Sequence, residues 1–157
     1  MTMVSTYRAG PASDTQAYLA ALGIAERRAL HSYFNQHISE DGWQEALNNP
    51  LTFEHVPVSL VTKNGKALTF DIKFPDRTIA VQIWEVRVGR VPLYLLDSNV
   101  EGNDDHDRLL TARLYWSDLD RRIMQEVLLG IGGVRALRAL GYSPAAWHMN
   151  EGHASFL

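Results

Sequence analysis

The chain has 157 residues, of which 46% are hydrophobic and 21% charged, and its formal net charge at pH 7 is -3. These proportions are typical of a globular domain with a core, and the small negative charge argues against nucleic acid or a membrane surface as a partner. The absence of cysteine excludes disulfides and thiolate metal sites and suits a cytoplasmic protein, while no apolar run is long enough for a signal peptide or a membrane-spanning helix.

The N-terminal part of the chain is predicted to hold a lead-in and two helices. Residues 1–11 show no periodic apolar pattern and are predicted to be flexible. A first helix is predicted to start near Thr15 behind a polar cap. Apolar residues at helical spacing predict a second helix over residues 25–37. Residues 41–42 (Asp-Gly) then predict a turn, with Trp43 as an anchor.

From residue 53 the apolar pattern alternates, which predicts strands. Asn64-Gly65 is a strong hairpin signal because both positions of the favoured two-residue turn take a positive φ. An antiparallel meander is therefore predicted, ending in a strand over residues 78–88. Residues 91–97 (VPLYLLD) are nearly all apolar, which predicts a strand buried on both faces.

The C-terminal part is predicted to be mainly helical. An acidic loop leads to a short helix over residues 108–115, and Ser117 or Asp118 caps a long helix over residues 119–140. The apolar stripe of the long helix is predicted to consist of Ile123, Val127, Ile131, Val134 and Leu137. A short buried strand over residues 145–149 then leads into a polar turn.

Three glycines interrupt the long helix at Gly130, Gly132 and Gly133. One explanation is a loop that binds phosphate, and the other is close packing of the helix against a neighbouring element. The dinucleotide-binding fingerprint needs a glycine at position 135, where this chain has Arg135. Close packing is therefore the favoured interpretation.

The polar turn near the C-terminus holds the residues best suited to chemistry. His148, Glu151 and His153 are residue types that bind metals, but Gly152 stands where the inverted zinc-protease motif has its second histidine. No metal site is therefore predicted, and His148 is interpreted as a core histidine beside Trp147. His153 follows a glycine at the apex of the turn, where its ring and backbone are available to a ligand.

Two other groups of side chains are catalytic candidates. The acidic residues suit either a glycosidase carboxylate pair or a solvated acidic loop, and the loop is favoured because no spacing selects a pair. The acidic residues are Glu101, Asp104, Asp105, Asp107, Asp118 and Asp120. The only lysines are Lys63, Lys66 and Lys73, near the predicted hairpin, where no amine is desolvated enough for a Schiff base.

Several stretches resemble the short bacterial and archaeal α-glucan phosphorylases. They are GRVPLYLLD at 89–97, QEVLLGIGGVRAL at 125–137 and HMNEGH at 148–153, together with residues 33–44 from YF to DGWQ. The resemblance covers residues 31–157 and leaves residues 1–30 unmatched. It implies an α/β fold, part of a Rossmann-like N-terminal domain of the GT-B type, with the antiparallel meander (about residues 53–97) flanked by helices.

The resemblance also implies a function. This family cleaves α-1,4-glucan with inorganic phosphate to give glucose 1-phosphate, and it uses pyridoxal phosphate held between two domains. His153 matches the active-site histidine that contacts the glucosyl unit. Asn150, Glu151 and Gly152 match the loop that presents it, and Asp118 ends a segment that gates the cleft and is assigned to substrate binding.

The family's glycine-rich phosphate loop, its cofactor lysine and its phosphate-binding basic residues have no counterpart in the sequence. The chain is therefore expected to be a piece of a phosphorylase N-terminal domain, a single partial domain without the C-terminal partner domain that carries the cofactor. Alone it is expected to be inactive. Strand 145–149 is expected to be central in the parent sheet, so its unpaired neighbours predict marginal stability or self-association.

Two alternatives from other classes remain at this point. A non-catalytic carbohydrate-binding or interaction module could use tryptophans to stack on sugar rings. The four candidates are Trp43, Trp84, Trp116 and Trp147. A metallohydrolase is the other alternative, and it would contain bound zinc.

Overall fold

The computed structural model describes residues 3–7, 17–21, 35–47, 58–88, 91–112, 118–149 and 152–157. Its strands are β1 (Met3–Tyr7), β2 (Ala17–Ala21), β3 (Asn35–Ile38), β4 (Gln44–Leu47), β5 (Val58–Leu60), β6 (Thr62–Lys63), β7 (Lys66–Ala67), β8 (Thr69–Lys73), β9 (Thr78–Val88), β10 (Val91–Asp97) and β11 (Ala146–His148). Its α-helices are α1 (Asp105–Arg108) and α2 (Leu119–Ala139), and residues Gly152–Ala154 form a 3₁₀ turn.

Seven of the described strands form one mixed sheet, in the order β11-β1-β2-β10-β9-β5, with β8 also paired to β9. The β2–β10 pair is parallel and the other pairs are antiparallel. As a result, β11, β2 and β10 run in the same direction, and their C-terminal ends lie at one edge of the sheet. Helix α2 packs on the sheet and closes the main core. The fold is therefore α/β with mainly antiparallel strands.

Strands β9 and β10 confirm the predictions for residues 78–88 and 91–97. They pair from Val91 opposite Val88 to Asp97 opposite Gln82. Residues 92–97 of β10 are buried on both faces, as the continuous apolar sequence predicts.

The predicted Asn64-Gly65 turn is confirmed, with φ values of 54° and 77°. However, the turn joins only the short strands β6 and β7. Strands β5 and β8 do not pair with each other as a meander requires, because both pair with β9, through Leu60 opposite Trp84 and Thr69 opposite Gln82. The hairpin of β6 and β7 is thus a short insertion between β5 and β8, which lie end to end along β9. The predicted meander is wrong at this point.

The predicted lead-in and the two predicted N-terminal helices are wrong wherever the structure describes them. Strand β1 lies within the predicted flexible lead-in, and β2 lies within the first predicted helix. Both are strands because they pair with partners far away in the sequence, β11 and β10. The end of the second predicted helix is strand β3, paired with β4, and residues 25–34 lie outside the described residues.

The turn between β3 and β4 is confirmed by the hydrogen bond from Gly42 N to Ser39 O at 2.9 Å. Gly42 has a φ of 78°. The side chain of Trp43 is not an anchor, because the residue is 75% exposed.

The long helix is confirmed over Leu119–Ala139. The Asp118 carboxylate accepts a hydrogen bond from Asp120 N at 3.0 Å, and Gly141 follows the helix with a φ of 87°. The short helix is displaced from its predicted range to Asp105–Arg108, because Asp104 caps it by accepting a bond from Asp107 N at 2.8 Å. Residues 113–117 lie outside the described residues.

The buried face of α2 differs from the predicted apolar stripe. Of the stripe residues only Leu137 is buried, and Ile123 is 52% exposed. The buried helix residues are Leu128, Leu129, Gly130, Gly132, Gly133, Ala136 and Leu137. The buried face of α2 therefore includes all three glycines, whose lack of a side chain lets the helix backbone approach its neighbours.

The final strand lies at the end of the sheet that the described residues form, and its central place in the parent sheet stays a prediction. Among the described strands β11 lies at the end of the sheet and pairs with β1, so Ala146 and His148 are exposed. The interpretation of His148 as a core histidine is therefore wrong. The expected marginal stability and self-association stay predictions.

A buried tyrosine gives the fold a testable pH dependence. Tyr94 is 4% exposed, and its hydroxyl lies 2.9 Å from the Tyr142 hydroxyl. Burial, and then the bond to Tyr142, raise the pKa of Tyr94 above its ordinary value of 10.0. The folded state therefore holds the phenolic proton more tightly than the unfolded state. This stabilising contribution is complete below about pH 10 and falls as the pH rises further.

We expect the free energy of unfolding to fall more steeply above pH 10 in the unsubstituted chain than in Tyr94→Phe, by up to about 1.4 kcal/mol per pH unit. Urea unfolding at steps from pH 8 to pH 11 measures the two slopes. Tyr142→Phe should retain most of the dependence, since burial is its larger cause. Equal slopes for the unsubstituted chain and Tyr94→Phe would contradict the prediction.

Candidate functional site

Residues 152–157, a short distance after the end of β11 at His148, form two successive tight turns. Ser155 N donates to Gly152 O, and Leu157 N donates to Ala154 O, each at 3.0 Å. Ala154 is fully buried in the main core, whereas Gly152 is exposed and His153 is half-buried. The turn therefore holds the imidazole at the protein surface, with the next residue fixed in the core.

Helix α2 supports this segment through Gly130. A Cβ atom at position 130 would lie 2.8 Å from the carbonyl carbon of Phe156 and 2.9 Å from the backbone nitrogen of Leu157. At Gly132 the nearest atom to such a Cβ would be Leu96 Cδ1, at 3.3 Å. The interpretation as close-packing residues is confirmed for Gly130 and Gly132.

The predicted site residues lie in different places. His153 and Gly152 form the turn, and Asn150 and Glu151 lie outside the described residues. Asp118 is the exposed N-cap of α2, where its second carboxylate oxygen lies 3.8 Å from Arg121 Nε. Twelve positions of helix separate Asp118 from Gly130, or about 18 Å along the axis. The described structure therefore does not place Asp118 beside the C-terminal segment.

A buried carboxylate that the sequence analysis missed lies at the end of β10. Asp97 is 2% exposed. One of its oxygens accepts bonds from Gln82 Nε2 at 2.8 Å and Trp84 Nε1 at 3.1 Å. The other accepts bonds from Asn99 N at 2.9 Å and Thr111 Oγ1 at 3.3 Å. The signal in the sequence was an aspartate directly after a wholly apolar run.

The same network includes Asp107, which corrects the solvated-loop interpretation for this residue. Asp107 is 3% exposed and accepts bonds from Arg77 Nε at 2.9 and 3.2 Å. These bonds raise the pKa of the Arg77 guanidinium above its ordinary value. Ser98 Oγ donates to Asp107 O at 2.7 Å. The network thus fastens residues 98–112 to the sheet edge at which β10, β2 and β11 end.

The described residues show little that suits a metal or a Schiff-base cofactor. Within them, no group of three or more His, Asp or Glu residues is placed to hold a metal ion. Lys63, Lys66 and Lys73 are all exposed, so none has the desolvated amine that a pyridoxal Schiff base needs. No helix in the described part of the chain is long and apolar enough to cross a membrane.

Comparison with known proteins identifies close relatives. The maltodextrin phosphorylase of Thermococcus litoralis is 44% identical over 92% of the chain, and the glycogen phosphorylase of Mycobacterium tuberculosis is 42% identical over 93%. The chain matches a segment of the α-glucan phosphorylases. The glycogen phosphorylase of Aquifex aeolicus is a further phosphorylase relative, 41% identical over 80% of the chain. No protein-family model matches the chain, and no solved structure matches it significantly.

The chain spans only 17–18% of the length of these phosphorylases. The resemblance stated from the sequence motifs is confirmed, and it favours a phosphorylase segment over an independent carbohydrate-binding module. An alignment over 92% of the chain is too long to lie within residues 31–157. The similarity to phosphorylases therefore extends into the N-terminal stretch, which contains β1 and β2.

Proposed function

We propose that this chain supplies the sugar-facing part of an α-glucan phosphorylase active site. The complete enzyme would cleave α-1,4-glucan with inorganic phosphate and release glucose 1-phosphate. The observation that carries the proposal is the identity of 41–44% to maltodextrin and glycogen phosphorylases across 80–93% of the chain. The proposal includes a Rossmann-like N-terminal domain of the GT-B type and a cytoplasmic location.

In this proposal His153 contacts the glucosyl unit. A neutral imidazole carries one donor and one acceptor nitrogen, which suits it to sugar hydroxyls. The position of His153 supports the role, because it lies between Ala154, which is buried in the core, and Gly152, which is exposed. Asn150, Glu151 and Gly152 form the loop that presents it, and Asp118 binds substrate when its segment closes over the cleft.

The proposal assigns the remaining groups to the rest of a complete enzyme. The family uses pyridoxal phosphate, which the three exposed lysines of this chain do not suit. The cofactor lysine and the groups that bind inorganic phosphate therefore belong to a C-terminal domain that faces this one.

Titration with maltoheptaose tests the sugar contact. We expect weak binding by the chain, reduced about tenfold in His153→Ala, which corresponds to about 1.4 kcal/mol. His148→Ala is the matched control, because His148 is exposed five positions away and should leave binding unchanged. Calorimetry or NMR measures the affinities.

Two outcomes would contradict this proposal. Binding that survives His153→Ala but is lost in Trp116→Ala would indicate a carbohydrate-binding module instead. Glucose 1-phosphate formed from maltodextrin and phosphate by this chain, with pyridoxal phosphate added, would show that the chain is catalytically sufficient. We expect no such product, because the positioning of both reactants supplies much of the rate enhancement in group transfer.

A further inference from the structure

The segment that carries His153 lies on α2 at a point where only glycine leaves enough room. We propose that Gly130 is a positioning residue for His153, setting how closely residues 152–157 approach the helix and thereby where the imidazole is held. This inference rests on the proposed sugar contact of His153. Gly130 lies near the centre of α2 and contacts the backbone of Phe156 and Leu157, which follow His153 in the chain.

The segment is held in position partly through α2. The hydrogen bonds from Ser155 N and Leu157 N both close within the segment, so they shape the turns without tying them to the sheet. Upstream, β11 is a three-residue strand at the end of the described sheet. The segment's contacts with the rest of the fold include the burial of Ala154 in the core and the crossing of Phe156 and Leu157 over Gly130.

An alanine side chain at position 130 would press against the backbone of the segment. A methyl group at position 130 would meet two backbone atoms at 2.8 and 2.9 Å, well inside the roughly 3.5–4.0 Å of an ordinary carbon contact. Backbone atoms have no alternative rotamer, so the segment must move away from α2 by several tenths of an ångström or more. Productive geometry at a binding or catalytic site tolerates about 0.5 Å, so a shift of this size is enough to matter.

Gly132 provides a matched control on the same helix. The same methyl group there would meet Leu96 Cδ1 at 3.3 Å and Ile72 Cδ1 at 3.5 Å, which are the ends of flexible side chains. Both substitutions raise helix propensity equally. A difference between them therefore reports the contact with residues 156–157 and not a change in the helix itself.

The experiment records the imidazole NMR signals of Gly130→Ala and Gly132→Ala, with His153 assigned from the signal lost in His153→Gln. We expect Gly130→Ala to shift the His153 signals while those of His106 and His148 stay in place, and to weaken maltoheptaose binding about tenfold. Gly132→Ala should leave both readouts unchanged. Unchanged His153 signals in Gly130→Ala, or equal shifts in both variants, would overturn the proposal.

A second measurement covers the case in which Gly130→Ala does not fold. Removing Phe156 and Leu157 removes the two residues that the new methyl group meets. In that shortened chain Gly130→Ala should neither prevent folding nor alter the His153 signals further, and an undiminished effect would overturn the proposal. If maltoheptaose does not bind the unsubstituted chain, the proposed function fails, whereas the imidazole signals still decide whether Gly130 positions His153.

Discussion

Replacing Asp97 with alanine is expected to lower the free energy of unfolding by about 3 kcal/mol. The carboxylate is 2% exposed and accepts hydrogen bonds from Gln82, Trp84 and Thr111 side chains and from Asn99 N. Alanine leaves several of these donors without a partner where water has little access, and each such loss costs about 1–3 kcal/mol. Some of the donors will rotate toward solvent, which keeps the total below the simple sum.

The measurement is urea unfolding followed by fluorescence and circular dichroism. Asp105→Ala is the matched control, because that side chain is fully exposed and lies near the same network. It should change stability by less than about 0.5 kcal/mol. The loss of stability in Asp97→Asn should lie between those of Asp97→Ala and Asp105→Ala. An amide keeps one acceptor oxygen but turns an NH₂ group toward two of the donors. A loss below 1 kcal/mol in Asp97→Ala would show that this network does not hold the sheet edge.

Replacing Leu128 with alanine is expected to cost about 2–5 kcal/mol. Leu128 is fully buried in the main core, between α2 and the sheet, so the shorter side chain leaves a cavity that the close-packed surroundings fill only in part. A loss of this size is a large share of the stability of an ordinary domain. The same urea titration measures it.

Ile123→Ala on the same helix is the control for Leu128→Ala. Ile123 belongs to the stripe predicted from the sequence but is 52% exposed in the structure, so its loss should cost less than about 1 kcal/mol. Equal costs for the two variants would favour the predicted stripe over the observed packing. The pair thus tests which face of α2 forms the core.

Local patterns predicted the elements whose form depends on neighbouring residues. Strand β10 is a continuous apolar run, helix α2 begins at its cap Asp118, and Asn64-Gly65 forms the turn between β6 and β7. The stretches GRVPLYLLD, QEVLLGIGGVRAL and HMNEGH, in this order, indicated the phosphorylases, because the identity of side chains carries family resemblance without any knowledge of their contacts.

The predictions failed where a distant partner decides the outcome. Strand β2 has apolar residues that also suit a helix, and it is a strand because β10, more than 70 positions later, pairs with it in parallel. Strands β5 and β8 share one side of β9 although the hairpin signal between them suggested that they pair together. Strand pairing is non-local, so a local window does not contain the information that selects it.

The same division applies to the candidate site. The sequence showed two separate features: the polar residues of the C-terminal turn, with His153 after a glycine, and the three glycines of α2. That Gly130 meets the backbone of Phe156 and Leu157, and that Asp97 collects donors from β9 and from residues 99–111, depends on how closely α2, β9 and the loops pack. The contacts of Gly130 with residues 156–157, and those of Asp97 with β9 and Thr111, join residues more than ten positions apart and leave no periodic trace along the chain. They follow only from the packing of the folded protein.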